Sequence, residues 1–351
     1  MRDPPALVFV VTKNCLQVRA RTPGAAVTYE EYGDFSTAEF ALPLKFLGDC
    51  QAECNDSVDL EVRSDNTVLC RWSESDVPQA VVYERQPMPD LASWPQVPSS
   101  LAQNTGGLLV ALRDASQTSD SESSRYALGH IQLRGNHGEI AATDGRQLLL
   151  QGGFSFPWQE NLLIPANDVF GRKELLGTRS ISIGFSDGWV AMRVGAWVLQ
   201  FRTNEIGRFP SLEGLVPLPA TAIASCKLPQ RDLQRLQRCL WLLPGKDQDS
   251  APVTMDLGQT FVIRAQAAGI PEPVDLMLSG EPCGEPTRIA TDRKYLQRAA
   301  DLGLRELHLF GPEQAVLARD ERRSYLWMPL ASQFVVQPEG KNGRSRGQTA
   351  A

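Results

Sequence analysis

Long apolar runs are what this chain most plainly lacks. No uninterrupted apolar stretch approaches the roughly 20 residues that a membrane-crossing helix requires. The opening Met1-Arg2-Asp3-Pro4-Pro5 has no apolar core of the kind that marks a secretory leader. An excess of positive charge is missing too: 35 Lys and Arg stand against 41 Asp and Glu, a formal net charge of −6. A module that grips nucleic acid by displacing counterions usually carries the opposite sign. Bulk charge therefore argues against that simple design and leaves room for a local stripe of one sign. Only three histidines occur, and the seven cysteines are scattered singly except for Cys50 and Cys54. Those two lie one helical turn apart, the spacing of a metal pair, but no histidine stands near them to complete a ligand set. Reduced thiols in a cytoplasmic protein, with no metal and no cofactor, are the expectation. Phosphate-cradling glycine loops and nucleophile elbows are absent as well. His130, His137 and Asp144 lie close together, but their spacing fits no helical or hairpin ligand pattern. No catalytic residue is expected, and the chain reads as a non-enzyme.

What is present is one pattern written three times. An apolar residue followed by proline closes a run of strands at Met88-Pro89, Phe209-Pro210 and Met328-Pro329. The interval of about 120 residues is too long for a solenoid and suits a repeated domain. A short helix opens at Leu42-Pro43, at Ile164-Pro165 (running to Leu176) and at Ile289-Ala290. An alternating strand follows each: Val58, Leu60 and Val62, then Ile181, Ile183 and Phe185, then Leu307 and Leu309. Hairpin turns come next at Ser64-Asp65-Asn66, Ser186-Asp187-Gly188 and Gly311-Pro312. Short, evenly spaced strands with such turns predict antiparallel sheet with short helices, an α+β chain. The expected domains are 1–97, 98–222 and 223–331, with a disordered polar tail over 332–351. Their connectors, Trp94 to Ser100 and Leu215 to Pro219, carry prolines and are too short to be floppy tethers.

The helices add a second clue. Over Leu228 to Leu242 the apolar Leu233, Leu236 and Leu240 share one face, and Arg231, Arg235 and Arg238 share the opposite one. Such a stripe is either an ordinary solvated face or a surface for an anionic partner. A later helix contributes Arg293, Lys294 and Arg298, and the second copy contributes Arg172 and Lys173. Elsewhere the lining is thin: Arg113 in the first helix of the second copy, Lys45 in the first copy.

Three motifs resemble one family. Ala142-Thr143-Asp144-Gly145, continued by Arg146-Gln147-Leu148, resembles the A-T-D-G-x-x-L turn of bacterial sliding clamps, the β subunit of DNA polymerase III. Gly207-Arg208-Phe209-Pro210 resembles the G-R-F-P element that precedes the clamp's link to its third domain. Tyr325 to Leu330 resembles the carboxy-terminal V-M-P-M-x-L element. Their order and spacing agree with the threefold repeat. The resemblance implies a DNA-clamp fold of three similar domains in an arc. Its function would be a processivity clamp, a homodimer ring around duplex DNA in the bacterial nucleoid, loaded by a separate ATPase. Polymerase, clamp loader and repair proteins would dock through short peptides. DNA-facing roles would fall on Arg231, Arg235, Arg238, Arg293, Arg298, Arg172 and Lys173. A peptide groove would be walled by Leu128, Thr143, Gly145, Arg146, Leu148, Pro210 and Leu215. Leu326, Met328, Pro329 and Leu330 would close it; ordinary core and turn roles are the alternative for each.

The chain departs from the family pattern in three places. The strand and helix expected before Ala6 to Val11 are missing, which puts ring closure in question. Arg146 stands where the family often has His, and Gln147 where an Arg follows. The chain also continues past the Met-Pro element to Ala351. An adaptor that keeps the peptide groove without encircling DNA is the alternative function.

Overall fold

Alternating burial carries the architecture. In Ser180–Ser186, Ile181 and Ile183 are fully buried while Ser180 is exposed, the pattern of a strand with one face on a core. A computed structural model describes residues 4–50, 57–75, 77–120, 127–270 and 272–338. Cys54, the first three residues and the stretch from 339 onward lie outside the described residues.

The first run of elements is β1 (Ala6–Val11), β2 (Cys15–Arg21), β3 (Ala25–Tyr32), β4 (Ala38–Pro43), α1 (Phe46–Asp49), β5 (Asp59–Val62), β6 (Thr67–Glu74) and β7 (Val77–Glu84). The second opens with β8 (Ala102–Thr105), α2 (Gly107–Ser116), β9 (His130–Arg134), β10 (Glu139–Thr143), β11 (Gln147–Gly152) and β12 (Asn161–Pro165). It ends with α3 (Lys173–Leu176), β13 (Ser180–Ser186), β14 (Trp189–Val194) and β15 (Trp197–Arg202). The third opens with β16 (Ala224–Lys227), α4 (Gln230–Cys239), β17 (Pro252–Leu257), β18 (Phe261–Ala265), β19 (Val274–Leu278), β20 (Glu281–Gly284) and β21 (Thr287–Asp292). It closes with α5 (Arg293–Asp301), β22 (Glu306–Leu309), β23 (Val316–Arg319) and β24 (Arg323–Trp327).

The same order, strand–helix–three strands, therefore ends every run. Pairing repeats as well: β1 with β4, β9 with β12 and β17 with β21 are all antiparallel. One expected helix is corrected. The stretch from Pro165 to Leu176 splits into a 3-10 turn, Asp168–Gly171, and the four residues of α3. Asn167 causes the early turn, because its side chain accepts the Val169 N–H at 2.9 Å.

The described residues form two compact units. One is built from Met1–Ser116, His130–Gly138 and Phe154–Gly207. It holds the eight-stranded sheet β4-β1-β2-β3-β15-β14-β13-β8 and the smaller β5-β6-β7. Within it, a Cβ on Gly106 would meet the Thr178 carbonyl oxygen at 2.3 Å, so only glycine lets α2 start so close to that backbone.

The other unit is built from Gln117–Gly129, Glu139–Gly153 and Arg208–Ala351. Seven strands lie side by side in the order β10-β11-β24-β23-β22-β16-β20, and β19-β18-β17-β21 forms a second sheet. A core of Leu233, Leu236, Leu240, Met255, Phe261, Leu296, Tyr325 and Trp327 joins the helices to the strands. Asp232, in the first turn of α4, is buried. Its carboxylate accepts the N–H groups of Ser279 and Gly280 and the Ser279 hydroxyl, all at 2.8 Å, which ties the helix to the end of β19. In β18 the buried Arg264 pairs with Asp256 at 3.0 Å and Asp275 at 2.8 Å. Residues 332–338, expected to begin a disordered tail, take ordered structure instead. Ser332–Phe334 is a 3-10 turn, and the Val336 N–H donates to Thr254 Oγ1 in β17 at 2.8 Å. That bond satisfies a hydroxyl which is itself fully buried, the reason the segment is held.

Candidate functional site

The A-T-D-G segment joins β10 to β11, and each of its polar groups folds the turn. The Asp144 carboxylate accepts the Arg146 and Gln147 N–H groups at 2.8 and 2.9 Å, and the Gln147 side-chain amide at 2.9 Å. Thr143 Oγ1 accepts the Gly145 N–H at 3.0 Å and donates to the Gln147 carbonyl at 2.5 Å. Gly145 sits at φ +89°, a backbone conformation that side-chain-bearing residues rarely adopt. Gln147 is locked from its other end, where its Oε1 accepts the Tyr325 hydroxyl at 2.5 Å. Burial raises the Tyr325 phenol well above its usual range, so it stays a neutral donor.

From this turn β11 runs antiparallel to β24, with Leu148 opposite Leu326 and Gln147 opposite Trp327. The Met328 N–H then donates to the Arg146 carbonyl at 3.1 Å, which holds the Met-Pro element beside the turn. Leu148 and Leu326 are both buried in a cluster with Leu212, Phe310 and Leu317, and Phe209 and Val216 pack against it. Segment 127–128 is tied in by the Ala127 N–H, which donates to the Arg208 carbonyl at 3.1 Å. The Leu128 side chain comes within 3.8 Å of where a Cβ on Gly145 would stand.

The structure thus brings Leu128, Thr143, Gly145, Arg146, Leu148, Leu326 and Met328 together. Of the eleven carried-over positions, Leu128, Thr143, Leu148 and Leu326 are buried, and Pro210, Pro329 and Leu330 are half-buried. Gly145 and Arg146 are exposed, with Leu215 at 50% and Met328 at 49%. Leu330 goes elsewhere: its N–H donates to Ala290 in β21 at 2.8 Å. Sequence reasoning missed Leu212, Phe310 and Leu317. Only Leu212, two residues past Phe209-Pro210, had a neighbouring motif to signal it.

The helix surface separates into two kinds of arginine. On α4, Arg231, Arg235 and Arg238 are exposed while Leu233 and Leu236 are buried. Arg231 Nε donates to Ser279 Oγ at 2.8 Å and Arg235 Nη1 to the Met277 carbonyl at 2.8 Å, which orients both guanidinium groups along the helix. Arg298 is half-buried and donates to Gln117 Oε1 at 2.8 Å. Arg172 and Lys173 are exposed around the start of α3. Arg293 overturns its expected role as a DNA-facing residue. It is fully buried, and its guanidinium donates to the carbonyls of Leu243 and Pro244 at 2.8 and 2.7 Å. The reason is its place at the first position of α5, from which the side chain reaches a backbone turn that has no partners of its own. Of the residues weighed for catalysis, His130 is half-buried beside Asn204 at 3.2 Å, and burial lowers its pKa. Asp144 is committed to the turn.

No protein-family model and no curated protein matches the chain by sequence. Solved structures do match. The chain is similar to the DNA polymerase sliding clamp from Pseudomonas aeruginosa, with a TM-score of 0.75 at 16% identity over 93% of this chain and 91% of that one. A DNA polymerase III β chain from Streptococcus pneumoniae gives 0.74 at 13% identity, covering 93% and 92%. A sliding clamp from Pseudomonas aeruginosa bound to griselimycin gives 0.76 at 16%, covering 93% and 90%. At these identities the likeness establishes the fold: the chain has the α+β DNA-clamp fold.

Burial separates Arg293 from its neighbours in a measurable way. Arg293→Met is expected to destabilise the chain by about 3 kcal/mol, because two buried carbonyls lose charged donors. Arg238→Met, at an exposed site, is expected to change stability by less than about 0.5 kcal/mol. Urea unfolding of the two variants checks both values.

Proposed function

We propose that the chain is a sliding clamp: a non-catalytic homodimer that encircles duplex DNA, confers processivity on a polymerase and docks partner peptides. The observation that carries this reading is a clean basic face, Arg231, Arg235 and Arg238, inside a clamp fold whose net charge is −6. A ring holds DNA by enclosure, so a few phosphate contacts suffice and stronger ones would act as brakes. On this reading the three runs of elements are three domains, 1–97, 98–222 and 223–331. Arg298, Arg172 and Lys173 supplement the α4 face.

Strand edges support the dimer. The last strand of the second run pairs with β3 of the first, and the last strand of the third pairs with β11 of the second. The same rule leaves β7 and β19 at sheet edges, each with exposed apolar residues: Val81 and Val82 on β7, Val274 and Met277 on β19. We infer that β7 of one copy pairs with β19 of the next, which covers both edges. The partner surface is the one around the Asp144 turn. Buried Leu148 and Leu326 form its floor, and Arg146, Leu215 and Met328 remain available to an incoming peptide.

A second reading, an adaptor that docks peptides without encircling DNA, is favoured by the burial of Arg293 and by the pairing of Arg113 with Asp114 at 2.9 Å. Both remove cations that a DNA-facing surface would use. Sedimentation separates the two readings: a ring requires a dimer at micromolar concentration, and a strict monomer selects the adaptor.

Reversing Arg231, Arg235 and Arg238 to Glu together is expected to cut retention on circular DNA by at least tenfold while peptide binding is unchanged. Undiminished retention would assign the stripe to solvent. Replacing Met328 and Leu330 with Ala is expected to weaken clamp-binding peptides by about tenfold, read by anisotropy, because two apolar contacts go. Unaltered peptide affinity would place docking elsewhere.

A further inference from the structure

The arginine face of α4 continues past the helix. At α-helical spacing, Arg231, Arg235 and Arg238 are followed on the same face by Leu242, in the 3-10 turn Leu240–Leu242. Leu242 is 80% exposed and Trp241 43%, whereas Leu240 is fully buried. Single exposed apolar residues are ordinary. Here a tryptophan and a leucine are exposed together at the end of a basic stripe, and the ring is held. The Arg293 guanidinium lies 5.5 Å from the Trp241 ring centroid. It is pinned in turn by the Leu243 and Pro244 carbonyls. One face of the indole is thus backed by an immobile, buried cation. A cation on one face draws the negative ring quadrupole toward itself. The remaining surface then suits stacking by a flat, neutral π-system better than capture of a second cation. A nucleobase out of its stack is such a group, and its phosphates would meet Arg238.

We propose that Trp241, backed by Arg293 and flanked by Leu242 and Arg238, is a stacking site for unpaired bases of single-stranded DNA. This rests on the DNA-binding reading above and adds a position on that surface that duplex cannot use. Bases inside a duplex already have both faces covered, and exposing one costs stacking and pairing. A single strand offers free base faces at no such cost. The chain should therefore hold a duplex with a single-stranded overhang more tightly than a blunt one.

Fluorescence anisotropy with a labelled oligo-dT and a blunt duplex, at one fixed salt concentration, tests the site. Trp241→Ala is expected to lower oligo-dT affinity about tenfold and to change duplex affinity less than about twofold. Trp241→Phe keeps a ring over Arg293 and should retain most of the oligo-dT affinity. Leu242→Ser, at a position too exposed to affect folding, should lower it severalfold. The triple arginine-to-Glu variant should weaken both ligands. Wild-type oligo-dT affinity in both Trp241→Ala and Leu242→Ser overturns the stacking site and leaves the clamp reading standing. A triple variant that binds both ligands like wild type removes the DNA-binding reading itself. Loss of a protein partner by Trp241→Ala, with oligo-dT affinity intact, would show the patch to be a protein contact and overturn the proposal.

Discussion

Strand edges are the constraint on which the rest of this structure depends. A β-strand at a sheet edge presents a row of unpaired N–H and C=O groups, and burying them unpaired is costly. The chain meets that demand by lending strands between repeats. β15 completes the sheet of the first run along five residue pairs, from Trp197 opposite Tyr29 to Phe201 opposite Ala25. β24 does the same for β11 along five pairs, from Gln147 opposite Trp327 to Gln151 opposite Arg323. Each compact unit therefore contains a junction between runs, and no run closes its sheets alone. The candidate docking surface exists because of one such junction. Leu148 meets Leu326 only through the β11–β24 register, and a slip of one residue would turn both to the opposite face.

The same junction explains why so many motif residues have structural duties. Asp144, Thr143 and Gln147 spend their polar groups on the turn, and Tyr325 closes the network from the neighbouring strand. Such fully satisfied networks hold a backbone in one geometry. What the turn then offers outward is small: Arg146, the Gly145 backbone, and Met328 held against the Arg146 carbonyl. Rigidity beneath and a few exposed groups above is how a surface accepts a short peptide without first having to order itself.

The sequence showed some of this plainly and hid the rest for identifiable reasons. The hairpins were legible because Asp187-Gly188 and Asp65-Asn66 announce turns between alternating runs, and positive φ at Asn66, Asp187 and Gly188 is what those residue types permit. The α4 faces were legible because one helix period sorts Leu233 and Leu236 from Arg235 and Arg238. Arg293 was not. Helical phase says nothing about a side chain whose hydrogen-bond partners, Leu243 and Pro244, lie some fifty positions earlier. Phe310 and Leu317 were likewise hidden, since only the folded sheet brings them to Leu148. Residues 332–338 misled by composition: their polar character reads as disorder, yet Val336 answers a buried Thr254 that no local pattern reveals.

Charge distribution, finally, separates holding from gripping. A −6 chain repels a polyanion at long range, but at physiological salt that repulsion is screened beyond about 8 Å. Inside that distance the local groups decide. Three exposed arginines that each met one phosphate would give a salt dependence of about 3 in log–log slope, against 6 to 10 for proteins that bind DNA tightly. A slope so small could not retain DNA by adhesion alone, so a DNA-binding role for this surface demands closure around the duplex. Two of the three arginines are also tethered, to Ser279 and to the Met277 carbonyl, so they reach a limited distance and yield a phosphate easily. Weak, oriented contacts of that kind let a helix surface move from one phosphate to the next with little barrier. The burial of Arg293 then follows a consistent logic. Its charge serves the turn at 243–244 and the Trp241 ring, and it stays out of reach of the phosphates, where another strong contact would slow the slide.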